Sequence, residues 1–523
     1  MDGLGHRGRM SAGGEPARAY DGTRPVPRLL ASLLSLAVLA AAAPATAQAS
    51  ASAISATART EVRPGPRPGV QRLHYEFGPV HIAPGQNTIE FEGNDLKPDV
   101  AGWIVGFKPD LTYRDGTVPR VDVIHLHHGV WISNLAPLFA AGEEKTIVDA
   151  PQGFGWRYEP ADSWIMNHMI HNLTPKATDV YITYDLDFIP AGSPAAQGIG
   201  DVKTVWLDVT GIQPYPVFDV HKGAGGRDRR YTFPDEAREL RGANYSKHRW
   251  TADQDGVLVG AFGHLHPGGL WTDLELTRDG RTVPLFRSKA KYFEPAGAVS
   301  WDVAMTATPE GWRVGVRKGD VLSVSATYDT SRASWYESMG IMPVAFNAGG
   351  SGADPFEVDV NVSGETTHGH LDENRNHGGP FGGLPDARRL LAAPPPPART
   401  VPVRGFLYGR GDLARTGRRG RPPTVRAGRR LRFVNRDAKR DVFHTITSCR
   451  APCNGATGIA YPLADGPVRF DSGNLGYGPQ GLTAAAQRIS WKTPRRMRPG
   501  TYTYFCRVHP FMRGAFRVAG RRR

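Results

Sequence analysis

The sequence has little cysteine, and no long apolar run follows its first 50 residues. Only three cysteines occur among 523 residues, Cys449, Cys453 and Cys506, which is too few for a fold built on disulfides. A membrane-spanning helix needs about 20 consecutive apolar residues, so no membrane span is expected. No repeat of fixed period is present, which argues against a propeller or a solenoid. Packing must therefore hold most of the chain together.

The amino-terminal segment has the features of an export signal. Residues 29–43 form a largely apolar run that follows Arg18, Arg24 and Arg28, and Ala45-Thr46-Ala47 matches an A-x-A cleavage signal. We expect residues 1–47 to be a signal peptide and the protein to be secreted or extracytoplasmic. An oxidising compartment makes a Cys449–Cys453 disulfide chemically reasonable and leaves Cys506 as a free thiol.

Glycine and proline are abundant, with 62 and 43 residues, which is typical of many short strands joined by turns. A stretch rich in small residues at 192–200 and a proline run at 394–397 mark boundaries. We expect an all-β protein with two β-domains at 65–195 and 200–362. A His/Gly- and Pro-rich linker at 363–400 and a last domain at 401–520 follow.

Charge is divided unevenly along the chain. Residues 399–523 contain 27 Lys and Arg and 5 Asp and Glu, a net charge of +22. The whole chain carries +14, so residues 1–398 carry a net charge of −8. A solvated basic face is the simplest explanation, and a docking surface for a redox partner is the alternative. The excess of positive charge does not identify nucleic acid as a partner, and none is expected.

The last domain contains a compact set of soft metal ligands. Cys506, His509 and Met512 form a C-x-x-H-x-x-M pattern at the end of a β-type run, and His444 is the one other histidine of this domain. Two imidazoles, a thiolate and a weak axial thioether are the ligands of a blue copper site. The alternative is that Cys506 is merely a buried thiol and that His509 begins a turn.

The same pattern resembles the cupredoxins, particularly the plastocyanin-like and amicyanin-like domains, over about residues 401–518. The resemblance implies a third β-sandwich that carries one type 1 copper. It also implies that the copper ligands are His444, Cys506, His509 and Met512.

Histidines in the first 400 residues occur in clusters. One β-type run holds His125, His127 and His128, and a second holds His264 and His266. Side chains two residues apart share a face of a strand, so His264 and His266 can bind one metal ion. By the same rule His125 pairs with His127, whereas His127 and His128 share a face only if the strand is bulged.

Four segments around these clusters, residues 123–133, 164–175, 263–268 and 319–342, resemble the copper type II, ascorbate-dependent monooxygenases, the family of peptidylglycine α-hydroxylating monooxygenase and dopamine β-monooxygenase. The resemblance implies two jelly-roll-like β-sandwich domains with one copper each. An electron-relaying copper would be held by His127, His128 and His171. A catalytic copper that binds dioxygen would be held by His264, His266 and Met342.

Several residues compete for these positions. His125 is a reserve ligand in the first cluster, His168 competes with His171, and Met339 competes with Met342. A polar, glycine-rich stretch adds three more histidines, which are either solvated or ligands of a supplementary copper site: His368, His370 and His377.

These observations predict a secreted copper-dependent monooxygenase with one type 1 and two type 2 coppers. It would hydroxylate a C–H bond of a small organic or peptide substrate with O2, and the fused type 1 domain would be the electron donor. An external reductant or redox protein would supply the electrons. The alternative is a non-catalytic extracellular protein that binds copper or transfers electrons.

Overall fold

The structure is a computed structural model, which describes residues 59–93, 95–121, 123–211, 216–236, 249–293, 303–368, 398–409, 422–440, 442–451, 453, 468–477, 488–509 and 511–520. The expected signal peptide, the proline run at 394–397, and His370 and His377 lie outside these residues.

The all-β prediction is confirmed. The described residues form 33 strands and two 3₁₀ turns, Pro194–Ala196 and Ala438–Arg440, without an α-helix. None of the described segments is a helix that is long and apolar enough to cross a bilayer.

The first ten strands belong to residues 59–190. They are β1 (Arg59–Pro64), β2 (Gln71–Ile82), β3 (Ile89–Gly93), β4 (Gly102–Thr112), β5 (Ile124–Ser133), β6 (Ala136–Gly142), β7 (Val148–Asp149), β8 (Phe154–Tyr158), β9 (Trp164–Asn172) and β10 (Thr178–Pro190). The four strands β3-β9-β5-β6 form one sheet, which faces strands β1-β2-β10-β4-β8 across a shared apolar core.

Sixteen strands follow in residues 200–366. They are β11 (Gly200–Asp208), β12 (Phe218–Val220), β13 (Arg230–Phe233), β14 (Arg249–Thr251), β15 (Gly256–Ala261), β16 (His264–Leu265), β17 (Gly269–Arg278), β18 (Arg281–Lys289), β19 (Lys291–Tyr292), β20 (Val303–Ala304), β21 (Thr306–Ala307), β22 (Val314–Val316), β23 (Val321–Asp329), β24 (Trp335–Ser338), β25 (Gly340–Ala348) and β26 (Glu365–Thr366). A second core lies between β11-β25-β15-β22 and β13-β23-β17-β18.

One sheet runs through both halves of this region. Strand β11 pairs in parallel with β8 and antiparallel with β25, which joins the two sets of strands into an 11-stranded sheet. Apolar residues of the second half, including Val257 and Phe262, pack into the first core. The boundary expected at 195–200 therefore precedes a strand that connects the two halves.

The last seven strands form the carboxy-terminal module, residues 398–520. They are β27 (Thr400–Val403), β28 (Thr424–Arg426), β29 (Arg432–Asn435), β30 (Thr447–Cys449), β31 (Ser490–Lys492), β32 (Gly500–Phe505) and β33 (Arg513–Ala519). The sheets β27-β29-β31 and β28-β33-β32-β30 share a third apolar core. Cys449 and Cys453 form a disulfide, and Cys506 is a free, buried thiol.

The carboxy-terminal module packs against the preceding strands. The guanidinium group of Arg507 donates to the carbonyl oxygen of Ser334, lies 3.0 Å from a carboxylate oxygen of Asp471 and stacks over the Trp335 ring at 5.0 Å. The ammonium group of Lys222 donates to the carbonyl oxygen of Val468 at 2.8 Å. Polar contacts thus connect the module to the second core.

Trp131 is the central side chain of the first core, and its loss should weaken the fold. It is fully buried, and its ring centroid lies 4.7 Å from that of Phe107 and 5.3 Å from that of Tyr184. Trp131→Ala should lower the free energy of unfolding by about 3–5 kcal/mol, measured by urea denaturation. Val358→Ala, at a side chain that is 52% exposed, should change it by less than about 0.5 kcal/mol. Equal effects of the two substitutions would contradict this description of the core.

Candidate metal centres

A β-bulge in β5 places two consecutive histidines on one face. In the pairing of β5 with β9, Leu126 lies opposite Ile170 and His128 lies opposite Met169, so His127 is the extra residue. An extra residue interrupts the alternation of faces, so the residue after it stays on the same face. His127 and His128 therefore both project to the side that His125 occupies, away from the apolar core that holds Leu126.

The neighbouring strand β9 contributes His171 to the same face. His171 lies directly opposite His125, and the ring centroids of these two residues are 5.1 Å apart. The His127 ring lies 5.7 Å from that of His171 and 5.8 Å from that of His128. His168 lies opposite Gly129, on the other face of β9. The structure thus brings together His127, His128 and His171, with His125 among them.

The histidines of the second half meet this group directly. His264 begins β16, and His266 follows that strand, with ring centroids 5.1 Å apart. The ring centroid of His266 lies 4.5 Å from that of His127. Residues that the sequence assigns to two copper sites in two domains therefore form one contiguous buried cluster.

Hydrogen bonds fix the orientation of three of these rings. Nδ1 of His125 donates to the carbonyl oxygen of Val121 at 2.5 Å, and Nδ1 of His266 donates to that of Glu337 at 2.6 Å. Nδ1 of His264 donates to the Glu144 carboxylate at 2.8 Å. Carbonyl and carboxylate acceptors of this kind commonly orient metal-binding histidines, and each bond fixes its ring so that Nε2 points away from the acceptor.

Two buried carboxylates that the sequence patterns did not predict complete the cluster. Strand β6 ends at Gly142, where an added methyl group would lie 2.8 Å from the His127 carbonyl oxygen and 2.8 Å from Cε1 of His264. Glu143 and Glu144 follow, 2% and 0% exposed. The only sequence signal for them was a pair of acidic residues directly after the apolar run of β6. Because both are far from every histidine in the sequence, their place beside the histidines could not be predicted.

The environment holds the imidazoles neutral. Burial, followed by repulsion from His266 and other neighbouring histidines, lowers the pKa of His127 well below its usual value. Burial is also the main cause that lowers the pKa of His125 to about 4 and that of His128 to about 3. It likewise lowers the pKa of His171 and His266. Neutral imidazole is the form that binds a metal.

Several polar atoms of the cluster have no hydrogen-bond partner among the described residues. They are Nδ1 of His127, Nε2 of His128, His264 and His266, both carboxylate oxygens of Glu143, and Oε2 of Glu144. A buried polar atom without a partner costs about 1–3 kcal/mol. One ligand atom each from His127, Glu143 and His266 lies within 4.8 Å of the other two. The donor set therefore fits a metal ion.

The methionines are divided between the two faces of β25. Met342 lies opposite Leu207 and packs in the second core. Ile341 lies opposite His264 and packs with Met339 and with Met169. The structure thus places Met339, and not Met342, in the apolar group that adjoins the histidine cluster.

His368, the described member of the third histidine group, folds back towards the cluster. Its Nε2 contacts the carbonyl oxygen of Glu144. Glu144, whose carboxylate orients His264, is therefore also in contact with His368. At least this histidine of the third group lies beside the cluster.

A second candidate centre lies in the carboxy-terminal module. His444, Cys506 and His509 are fully buried, and their ligand atoms all lie within 4.8 Å of one another. The backbone N–H groups of Thr445 and His509 each donate to the Cys506 sulfur at 3.3 Å. Met512, also fully buried, packs in the same core. The structure places all four sequence-predicted ligands in one core.

The surroundings of this centre favour a thiolate. Burial raises the pKa of Cys506, but the contact with His444 and the two backbone donors outweigh it and lower that pKa. Nε2 of His444 donates to Asp437 at 3.0 Å, while its Nδ1 has no partner within the described structure. Asp437 thereby orients His444 with Nδ1 free for a metal.

No family model and no curated protein matches this chain. Its function must be inferred from its residues and their geometry.

Buried neutral histidines make the metal-free protein sensitive to acid. Burial lowers the pKa values of seven of them, His125, His127, His128, His168, His171, His266 and His509. In the unfolded chain each would protonate near its usual pKa of about 6.5. As the pH falls below that value, the unfolded state therefore takes up protons first, and stability falls by up to about 1.4 kcal/mol per pH unit for each histidine.

Two buried carboxylates oppose this effect. Burial raises the pKa of Glu143 well above its usual value and that of Asp208 to about 7, so these groups favour the folded state as the pH falls. The seven histidines outweigh these two acids. The urea midpoint of the metal-free protein should fall steadily from pH 7 to pH 5, and a constant or rising midpoint would contradict the described burial.

Proposed function

We propose that the protein is a secreted copper-dependent monooxygenase whose carboxy-terminal module delivers electrons to the histidine cluster. One observation carries the proposal: a buried group of neutral imidazoles and carboxylates, with partnerless donor atoms, lies in the same compact unit as a His-Cys-His set with a nearby methionine. Soft thiolate and thioether ligands favour copper in the second set. Bound copper would supply the redox chemistry that reduces dioxygen.

A small apolar cavity adjoins the cluster. The cavity, about 20 Å³ in volume, lies between β6 and β25 and is lined by Phe139, Trp156, Phe262 and Ile341, with His264 and Glu144 on its wall. A cavity of this volume holds about one water-sized molecule. It therefore has room beside His264 for a molecule about as small as dioxygen, and not for an organic substrate.

The balance of the reaction defines what this chain must supply. Hydroxylation breaks a C–H bond and the O–O bond, and forms a C–OH group and one water molecule, with two electrons and two protons consumed. A type 1 copper held by His444, Cys506 and His509 would supply one electron at a time, so two successive electron deliveries to the cluster would be needed. Oriented imidazoles, such as His264 held by Glu144, would keep the ligand geometry fixed between the two deliveries.

Contacts between the modules give the electrons a short route. The Phe406 ring lies 4.9 Å from that of His509 and 5.6 Å from that of His444. On its other side, Phe406 touches the backbone of Gly85, where an added methyl group would lie 2.8 Å from the ring. The next residue, Gln86, accepts a hydrogen bond at 2.9 Å from the backbone N–H of Asn172, the neighbour of His171.

The electrostatics of His171 agree with this proximity. Burial lowers its pKa first, and nearby His125 and then His509 of the carboxy-terminal module lower it further. His171 is therefore the member of the cluster at which we propose that electrons enter.

The main test combines copper counting with oxygen uptake. Copper-loaded protein, supplied with ascorbate and a panel of small organic and peptide substrates, should consume oxygen in a substrate-dependent way. His264→Ala should abolish this uptake and leave the blue absorption intact. His81→Ala, at an exposed histidine that contacts Asp179, should leave both unchanged. A single blue copper per chain, or full uptake by His264→Ala, would contradict the proposal and favour a non-catalytic electron-transfer protein.

The electron route is tested at the type 1 site. Cys506→Ser should remove the blue absorption and end turnover driven by a reduced donor protein, while ascorbate-driven turnover continues. Replacing both Cys449 and Cys453 with serine removes two other sulfur atoms of this module and should preserve turnover with either donor. Equal turnover with the donor protein before and after Cys506→Ser would exclude the route.

A further inference from the structure

We propose that His127, Glu143 and His266 bind a single divalent transition-metal ion in a site shared between the two halves of the large β-region. This inference deepens the proposed function, because it names a metal site that crosses the expected division into two copper domains. It also adds a carboxylate ligand that the sequence analysis did not foresee.

The geometry converges on one point from three elements. His127 comes from the bulge of β5, Glu143 follows the end of β6, and His266 follows β16. One ligand atom from each lies within 4.8 Å of the other two. Ions with imidazole and carboxylate ligands at about 2.0–2.2 Å require donor atoms at such separations.

The three side chains are available to a metal. Each is at most 4% exposed. Nδ1 of His127, Nε2 of His266 and both carboxylate oxygens of Glu143 have no hydrogen-bond partner among the described residues. The other nitrogen of His266 is engaged by the Glu337 carbonyl oxygen, which fixes the ring with Nε2 directed at the site.

The grouping differs from that implied by the sequence resemblance. There, His127 and His266 belong to different ions. Here their ring centroids are 4.5 Å apart. Each ring lies farther from its expected partner: His127 is 5.8 Å from His128, and His266 is 5.1 Å from His264. Two ions that each used one of these rings would compete for the same space.

The ligand set defines the class of ion. Two imidazoles and one carboxylate with open positions suit divalent first-row metals, including iron(II). Copper(II) binds such ligands more tightly than iron(II) when both are offered. Open coordination positions would leave room for a small molecule beside the cavity that His264 lines.

The test uses the full chain and counts metal in four variants. Apo-protein is loaded with copper(II) alone, and the blue absorption of the type 1 site reports correct folding. His127→Ala and His266→Ala should each lose one equivalent of metal, and the double variant should lose the same single equivalent. Glu143→Gln should weaken binding of that equivalent at least ~10-fold, since even loss of an outer partner of a ligand costs 10–100-fold. Loss of two equivalents by the double variant would overturn the shared site.

A matched control and a second metal complete the design. Asp208→Asn changes a carboxylate that is equally buried but bonded to Thr210, and it should leave metal binding unchanged. Weakening as large as that of Glu143→Gln would overturn the specific role of Glu143. A parallel anaerobic series loads iron(II) alone. Binding of iron and not copper, with the same three-residue dependence, would support the shared site and overturn the copper-based proposed function.

Discussion

The burial of polar groups in one cluster is the constraint on which this structure depends. Six imidazoles and two carboxylates meet where β5, β6, β9 and β16 converge, and several of their atoms have no hydrogen-bond partner in the described structure. Each such atom costs folding free energy unless another group satisfies it. Three features of the fold bring these polar groups together. They are the bulge at His127, the close approach of chains at Gly142, and the sheet that connects β8, β11 and β25. A bound metal ion would offset that cost.

The carboxy-terminal module gives the cluster a neighbour of complementary chemistry. Its buried Cys506 is held by backbone donors and by His444, and Asp437 orients His444 in turn. Phe406 packs against both histidines of this centre and touches Gly85 on the other side of the interface. Contacts made by Arg507 and Lys222 keep the modules together. The two centres therefore belong to one compact unit.

Local patterns in the sequence were sufficient for the fold class and for the compact motif of the last module. Alternating apolar residues and frequent turns indicated an all-β chain, and the spacing of Cys506, His509 and Met512 with His444 indicated one ligand set. The larger cluster was harder to predict from the sequence. The faces on which its histidines lie depend on the bulge at His127, and no residue type in the sequence indicates that bulge. Contacts across distant strands were not readable either: Glu143 meets His266 only because the fold brings the end of β6 close to the end of β16. The positions of Met339 and Met342 were not readable for a related reason, because only the pairing of β25 with β11 shows that Met342 faces the second core.

Anomalous scattering at the copper edge, from crystals of the full chain grown with copper, tests the central claim most directly. The account predicts one strong peak among His444, Cys506 and His509, and at least one more between His127, Glu143 and His266. A map with the first peak alone, at full copper occupancy, would contradict it, because the buried histidine cluster would then be a packing feature without a metal.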